Sequence, residues 1–287
     1  MDKPLYAGAH ISIRQGYAGA ARTAARIGAG AFQYFPKNPR SLTVKAFNRE
    51  DAAACAAFCR EHDILSIAHT PYPTNTTAEK PEQVRLNVHS ILNDLEIAEA
   101  CGSVGIIVHF GTYKGKDPLQ GYRNIIQLLN EVLDGWEGRT LLLLENQAGE
   151  GNLMGTTMEE MMQIRSLVNH PEKIGFCLDT CHAFASGLWK EDQFEEMKAK
   201  GEQLGYWNHV KAVHLNDSMY PALSYRDRHE NIGKGYIGEE RMKLLLQSDI
   251  VKDIPVVLET EAAGGSHQSE IELVYRLSGL GARSPKP

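Results

Sequence analysis

Eight short apolar runs punctuate the chain at intervals of about 25 to 45 residues, each flanked by turn-forming residues and separated by a segment with helical spacing of its apolar positions. The runs predict strands at Tyr6–Ser12, Phe32–Pro36, Leu65–Thr70, Gly105–Gly111, Leu141–Gln147, Ile174–His182, Val210–Asp217 and Pro255–Glu261. The intervening segments predict helices at Gly16–Ile27, Asn48–His62, Pro81–Ala100, Leu119–Leu133, Thr157–Val168, Glu191–Leu204, Glu239–Leu246 and His267–Leu277. Asn48 stands where an N-cap would, with Glu50 and Asp51 in the first turn. Thr157 with Glu160 three residues on has the form of a capping box.

Strands alternating with helices imply a parallel sheet. Eight such units in 287 residues predict an α/β fold of the (β/α)₈ TIM-barrel type, as a single domain over residues 1–287 with a loose tail from Gly281. The competing architecture, a doubly wound open sheet, lacks its Gly-rich phosphate fingerprint after the first strand.

Most of the runs end on a side chain that can bind metal. Ile67-Ala68 leads into His69, Ile106-Ile107-Val108 into His109, Leu142-Leu143-Leu144 into Glu145, Ala212-Val213 into His214 and Val256-Val257-Leu258 into Glu259. In Gly175-Phe176-Cys177-Leu178-Asp179-Thr180-Cys181-His182 the carboxylate is followed three residues later by an imidazole. A barrel gathers its C-terminal strand ends on one face. Asp227 and His229, in the long loop after the seventh strand, belong to the same face. One histidine at a strand end is more often a hydrogen-bonded loop residue than a ligand; nine His, Asp and Glu converging on one face are hard to explain as packing. Mixed nitrogen and oxygen donors suit zinc, or manganese where oxygen predominates. Nine ligands exceed the needs of one tetrahedral ion. His10 on the first strand is open between a role behind the ligands and one in the barrel interior. Glu259, which ends its apolar run directly, is preferred to Glu261.

Composition narrows the setting. The five cysteines, an odd number, do not suggest a disulfide framework, and a reducing cytoplasm is expected. Cys177 and Cys181 read as small buried residues on one side of the sixth strand. No apolar stretch reaches membrane-spanning length and no signal-peptide pattern opens the chain, so no membrane partner is expected. The net charge of −6, from 30 Lys+Arg and 36 Asp+Glu, gives no global attraction for nucleic acid but leaves the local field at a metal-bearing mouth undetermined.

These residues resemble endonuclease IV, the family-2 apurinic/apyrimidinic (AP) endonucleases of the xylose-isomerase-like TIM barrel superfamily. The 175–182 octapeptide matches the family's most specific motif. His69-x-x-Tyr72-x-x-Asn75, His214-Leu-Asn-Asp-Ser218 followed by Asp227-Arg228-His229, Gly8-Ala-His-Ile-Ser12, Lys37-Asn38-Pro39-Arg40, Glu145-Asn146 and Leu258-Glu259-Thr260 extend the resemblance over nearly the whole chain. It implies a metal-dependent phosphodiester hydrolase with three zinc ions. One would be held by His69, His109 and Glu145; a second by Glu145, Asp179, His214 and Glu259; a third by His182, Asp227 and His229. Glu145, as the bridge, is the catalytic candidate. The implied partner is double-stranded DNA carrying abasic sites, cut on the 5′ side by a monomer to leave a 3′-OH in base-excision repair. Lys37, Arg40 and Arg228 are then candidates to meet phosphates, and Tyr72 to wedge or stack at the lesion. The alternative within the superfamily is a sugar isomerase or epimerase using one divalent ion. Five loop residues, Leu42, Pro73, Thr74, Glu150 and Met219, depart from the family pattern; none is a ligand.

Overall fold

A computed structural model describes residues 5–281. Eight parallel strands close into a barrel: β1 (Tyr6–His10), β2 (Ala31–Tyr34), β3 (Leu65–His69), β4 (Gly105–Val108), β5 (Leu141–Glu145), β6 (Ile174–Asp179), β7 (Val210–His214) and, last in the chain, β10 (Pro255–Leu258). The short strands β8 (Asp217–Ser218) and β9 (His229–Glu230) form a separate antiparallel ribbon in the loop after β7. Helices α1 (Tyr17–Arg26), α2 (Arg49–His62), α3 (Pro81–Cys101), α4 (Pro118–Asp134), α5 (Met158–Leu167), α7 (Phe194–Leu204), α8 (Gly238–Leu246) and α9 (Gln268–Ser278) alternate with the barrel strands, and a short extra helix, α6 (Thr180–Ser186), follows β6 directly. The TIM barrel is thus the architecture the alternation predicts. Residues 282–287, most of the expected tail, lie outside the described residues.

Local chemistry sets the boundaries. Asn48 accepts from the amides of Glu50 and Asp51 at 3.0 and 3.1 Å, opening α2. Thr157 and Glu160 close a reciprocal capping box on α5. Pro81 occupies the first turn of α3, where its missing N–H costs nothing, and Gly102 ends that helix with φ 70°. Gly8 is obligatory for a different reason: a Cβ there would lie 1.7 Å from the Ala31 carbonyl oxygen on the neighbouring strand.

The strands are buried on both faces, as expected where helices cover the outside of a parallel barrel. Inside, Ala31, Ile67, Ile107, Leu143, Cys177, Ala212 and Val257 form one apolar layer, separate from the larger core between strands and helices. Side chains alternate across a strand, so the residue two positions on from each layer member also points inward. Those residues are Gln33, His69, His109, Glu145, Asp179, His214 and Glu259. Six of the nine candidate ligands therefore form the next layer up, resting on an apolar plug.

Most strands stop earlier than their apolar runs suggested, because the ladder ends where the backbone turns into loops. β6 is one of four strands that fall three residues short of the expected end. It ends at Asp179, whose carboxylate accepts from the His182 amide at 2.6 Å and caps α6. Asp179 and His182 are thus neighbours across a helix N-cap, and Cys181 lies on that helix rather than on the strand. All five cysteines are buried and unpaired. Among the described residues, no helix is long and apolar enough to cross a membrane.

Candidate metal centre

The barrel mouth holds a cavity of about 710 Å³, into which His69, His109, His182, Asp227, His229 and Glu259 open. Beneath it, three groups of side chains bring their donor atoms within 4.8 Å of one another: His69, His109 and Glu145; Glu145, Asp179, His214 and Glu259; and His182, Asp227 and His229. All nine sequence candidates are in these groups, and Glu145 belongs to two. A further grouping, Asp179, Cys181 and His229, overlaps them. Cys181 suits it poorly: burial pushes its thiol up to about 12, and its Sγ lies 3.5 Å from the Arg228 carbonyl oxygen.

Hydrogen bonds around the rings leave the inward nitrogens available. His69 Nδ1 lies 2.7 Å from the Thr70 carbonyl, which can only accept, so Nδ1 carries the proton and Nε2 keeps a lone pair. His182 Nδ1 likewise lies 2.9 Å from the Asn146 carbonyl, so the neutral form of this ring keeps its lone pair on Nε2. The lone-pair side of His69 faces His109 Nε2 at 3.2 Å. That of His182 faces Asp227 at 3.1 Å, and His229 Nε2 approaches the same carboxylate at 3.2 Å. Glu145 Oε2, His182 Nε2 and His229 Nε2 are buried and make no well-aligned hydrogen bond among the described residues. Buried polar atoms are seldom left so. Nitrogen and oxygen donors converging around such atoms fit divalent cations well, and a hard or borderline ion such as zinc best.

Electrostatics agree. Burial works to raise all four carboxylates, and Asp179 is indeed raised. For Glu145 and Glu259 burial works upward but the surrounding imidazoles prevail, His109 and His214 at Glu145 and His214 at Glu259; Glu259 falls to about 2 and Glu145 lies well below the usual carboxylate range. His182 and His214 move in the opposite sense. Burial lowers them, but Asp179 and Asp227 beside His182, and Cys177, Glu259 and Glu145 beside His214, hold them well above 6.5. His69, with His109 adding to the effect of burial, drops to about 4. The carboxylates demand positive charge at this spot, and bound cations would supply it in place of imidazolium protons.

Amides missed by sequence reasoning brace the ligands. Asn146 exchanges hydrogen bonds with the Asp179 backbone in both directions. Asn216 donates to Asp179 Oδ2 at 2.7 Å and accepts from the Glu259 amide at 2.9 Å. Gln33 accepts from His214 Nε2 at 2.6 Å and donates to Glu259 Oε1 at 2.7 Å. Alternation along β2 puts Gln33, two residues beyond Ala31, in the ligand layer once the plug is seen, but its partners follow only from closure of the barrel. Asp217, also buried, accepts from five backbone amides, those of Ser218, Gly233, Gly235, Ile237 and Gly238, at 2.8–3.2 Å. It organises the loop that presents Asp227 and His229. His10 lines the cavity and lies 3.3 Å from Gln33, behind the ligands.

The candidate DNA contacts separate into different situations. Lys37 is overturned as a surface contact: its side chain turns inward, donates to the Ser90 carbonyl at 2.7 Å and lies 2.9 Å from Asp94, where both side chains are buried. Arg40 is exposed on the loop that Lys37 anchors. Tyr72 is 71% exposed at the cavity rim, rests edge-on against Phe35 at 5.1 Å, and its amide donates to the Pro39 carbonyl, so the two loops are tied together. Arg228 is exposed but paired with Glu150 at 3.2 Å.

Residues 21–277 match the family model described as xylose isomerase-like TIM barrel. The chain is 43% identical over 88% of its length to a probable endonuclease 4 of Symbiobacterium thermophilum, spanning 92% of that relative. It is 33% identical over 93% of its length to a probable endonuclease 4 of Akkermansia muciniphila, spanning 96% of that relative. Among solved structures it is similar to endonuclease IV from Thermus thermophilus, at 30% identity and TM-score 0.82, covering 96% of this chain and 98% of that one. A D-tagatose 3-epimerase-like protein, at 17% identity and TM-score 0.71, covering 96% of each chain, shares the fold.

Proposed function

Since this chain belongs to the endonuclease IV family, within the xylose isomerase-like TIM barrels, we propose that it is a zinc-dependent AP endonuclease. It hydrolyses the phosphodiester on the 5′ side of abasic sites in double-stranded DNA, leaving a 3′-OH for base-excision repair. The observation that carries this reading is the third group, His182, Asp227 and His229, beside two others at one mouth. Sugar isomerisation on one divalent ion has no use for it, and the epimerase-like neighbour speaks for the fold alone.

His69, His109 and Glu145 would hold one zinc, Glu145, Asp179, His214 and Glu259 a second, and His182, Asp227 and His229 a third; manganese suits the more oxygen-rich second group. Bound there, such ions supply Lewis acidity toward the phosphodiester and bring the pKa of a water near neutrality. The residues of the chain do the rest. Glu145, fully buried, ties the first two groups at a common carboxylate. Asn146 and Asn216 hold Asp179, and with it the N-cap that aims His182. The four carboxylates carry four negative charges against the six of three divalent ions, so a phosphodiester anion is attracted despite the acidic chain. Tyr72 and Arg40, on tied loops at the rim, are placed to meet the lesion and a flanking phosphate. Every ligand comes from one chain, so a monomer suffices.

The test is a duplex oligonucleotide carrying a single tetrahydrofuran abasic analogue, which cannot undergo β-elimination, so any cut is hydrolytic. The zinc-loaded protein is expected to cut 5′ to the analogue, chelation to abolish the cut and zinc to restore it. Asp227→Ala should lose cleavage while the other two groups keep their metal. Unchanged activity in that variant would sink the three-ion mechanism, and no cut by folded, zinc-loaded parent would turn attention to sugar substrates.

A further inference from the structure

We infer that Gln33, which belongs to none of the ligand groups, is a positioning residue that selects the metal-binding tautomer of His214 and fixes the rotamer of Glu259. The inference rests on the reading that Glu145, Asp179, His214 and Glu259 hold a divalent ion.

Gln33 is the β2 member of the layer above the apolar plug, and it is fully buried. Its neighbours decide which way its amide points. Glu259 Oε1, at 2.7 Å, is a carboxylate oxygen and can only accept, so the NH₂ must face it. The carbonyl Oε1 therefore faces His214 Nε2 at 2.6 Å. A carbonyl also only accepts, so Nε2 of His214 must carry the proton. The second amide hydrogen has an acceptor in His10 Nδ1, 3.3 Å away. Turning the amide over would set its carbonyl against the Glu259 carboxylate, which makes the orientation a consequence of charge.

With its proton held on Nε2, His214 in its neutral form presents the Nδ1 lone pair to Glu145 Oε1 at 3.2 Å and to Glu259 Oε2 at 3.1 Å. Three electron-rich atoms facing one another repel unless a cation lies between them. Gln33 thus removes the option of settling the cluster with a neutral His214 that donates from Nδ1. It also holds one oxygen of Glu259 while Asn216 Nδ2 approaches the other at 3.4 Å. An outer partner that fixes ring tautomer and carboxylate rotamer in this way commonly contributes about ten- to a hundredfold in metal affinity.

The experiment uses the full chain loaded with zinc. Gln33→Met keeps the side chain's length and removes its hydrogen bonds. Zinc transfer to a chromophoric chelator is followed for parent and variant, with circular dichroism as the check on folding. One zinc per chain is expected to leave the variant at least about tenfold faster than from the parent, the remainder at parental rates. Equal release rates for all ions would overturn the inference. A second measurement needs no variant: in the zinc-loaded parent, ¹⁵N shifts of the His214 ring should show a protonated Nε2 and a metal-bound Nδ1, and the reverse assignment overturns it. A parent that binds zinc with this signature yet leaves abasic duplex uncut would retire the nuclease reading and leave the role of Gln33 standing. A parent that binds no zinc would overturn both.

Discussion

Lys37 Nζ lies 2.9 Å from Asp94 Oδ1, and neither side chain reaches solvent. The pair joins the loop after β2 to the middle of α3. A second clasp lies nearby, where Asn93 accepts from the Lys45 amide and donates to the Lys45 carbonyl. The loop that carries Arg40 is therefore held by the body of the protein before any ligand arrives, which lowers the ordering cost of binding.

Breaking one half of a buried pair leaves the other without its partner, at greatest cost where the Asp94 carboxylate is charged. Lys37→Met is expected to destabilise the fold by about 3–5 kcal/mol in denaturant titration, and Lys37→Met with Asp94→Leu to recover most of that loss. A Lys37→Met protein of parental stability that binds DNA poorly would instead return Lys37 to the phosphate contacts.

The same pair sets a pH dependence. Burial raises Asp94 to about 7 even though Lys37 pulls it down. The folded state thus holds this proton more tightly than the unfolded chain, whose aspartates titrate near about 3.9. The contribution of Asp94 to stability is greatest below that unfolded value and is lost as pH rises toward 7. Asp94→Asn should remove this decline, so the stability difference between parent and variant should change between about pH 4 and 7 and level off above. A difference that stays constant across that window would refute the assignment.

Asp217 is expected to act at a distance. Its carboxylate collects five amides from the loop that displays Asp227 and His229. Asp217→Asn turns one acceptor oxygen into a donor facing those amides, at a cost of about 1–3 kcal/mol for the groups left unpaired. In the zinc-loaded protein, an ion bound by His182, Asp227 and His229 should exchange faster in this variant while ions at the other two groups keep parental rates. Equal acceleration at every site would mean general loosening of the barrel instead.

Glu150 spans the mouth to Arg228, and it also accepts from the Asp227 amide at 3.0 Å. Both charged side chains are about half exposed, so the pair itself contributes under about 1 kcal/mol. Its effect on DNA should be larger in kind than in size, because it occupies the guanidinium that a phosphate would take. Glu150→Gln is expected to tighten binding of abasic duplex a few-fold and to steepen the dependence of log K on log salt by about one phosphate contact. Fluorescence anisotropy over a salt series measures both. An unchanged slope would show that Arg228 makes no phosphate contact in either protein.

What the sequence determined by itself follows from local regularity. Apolar runs at strand length, helical spacing between them and the alternation of the two specified a parallel barrel, because period and burial are properties of neighbouring residues. The position of His, Asp and Glu at the ends of those runs pointed to one face, since closure of a parallel barrel leaves its C-terminal ends no other place to go. The Asn48 cap and the Thr157–Glu160 box were legible for the same local reason. Only the tertiary structure decided the rest. Lys37 reads as a loop cation until Asp94 is brought beneath it. Gln33 reads as an ordinary strand residue until His214, 181 positions away, and Glu259, 226 positions away, close around its amide. Glu150 and Arg228, in separate loops, find each other only across the finished mouth. The strand ends also yielded to it, most visibly at Asp179, where capping a helix outweighed continuing the strand. Partners far apart along the chain leave no periodic trace, because what joins them is the closure of the barrel and not the spacing of the residues.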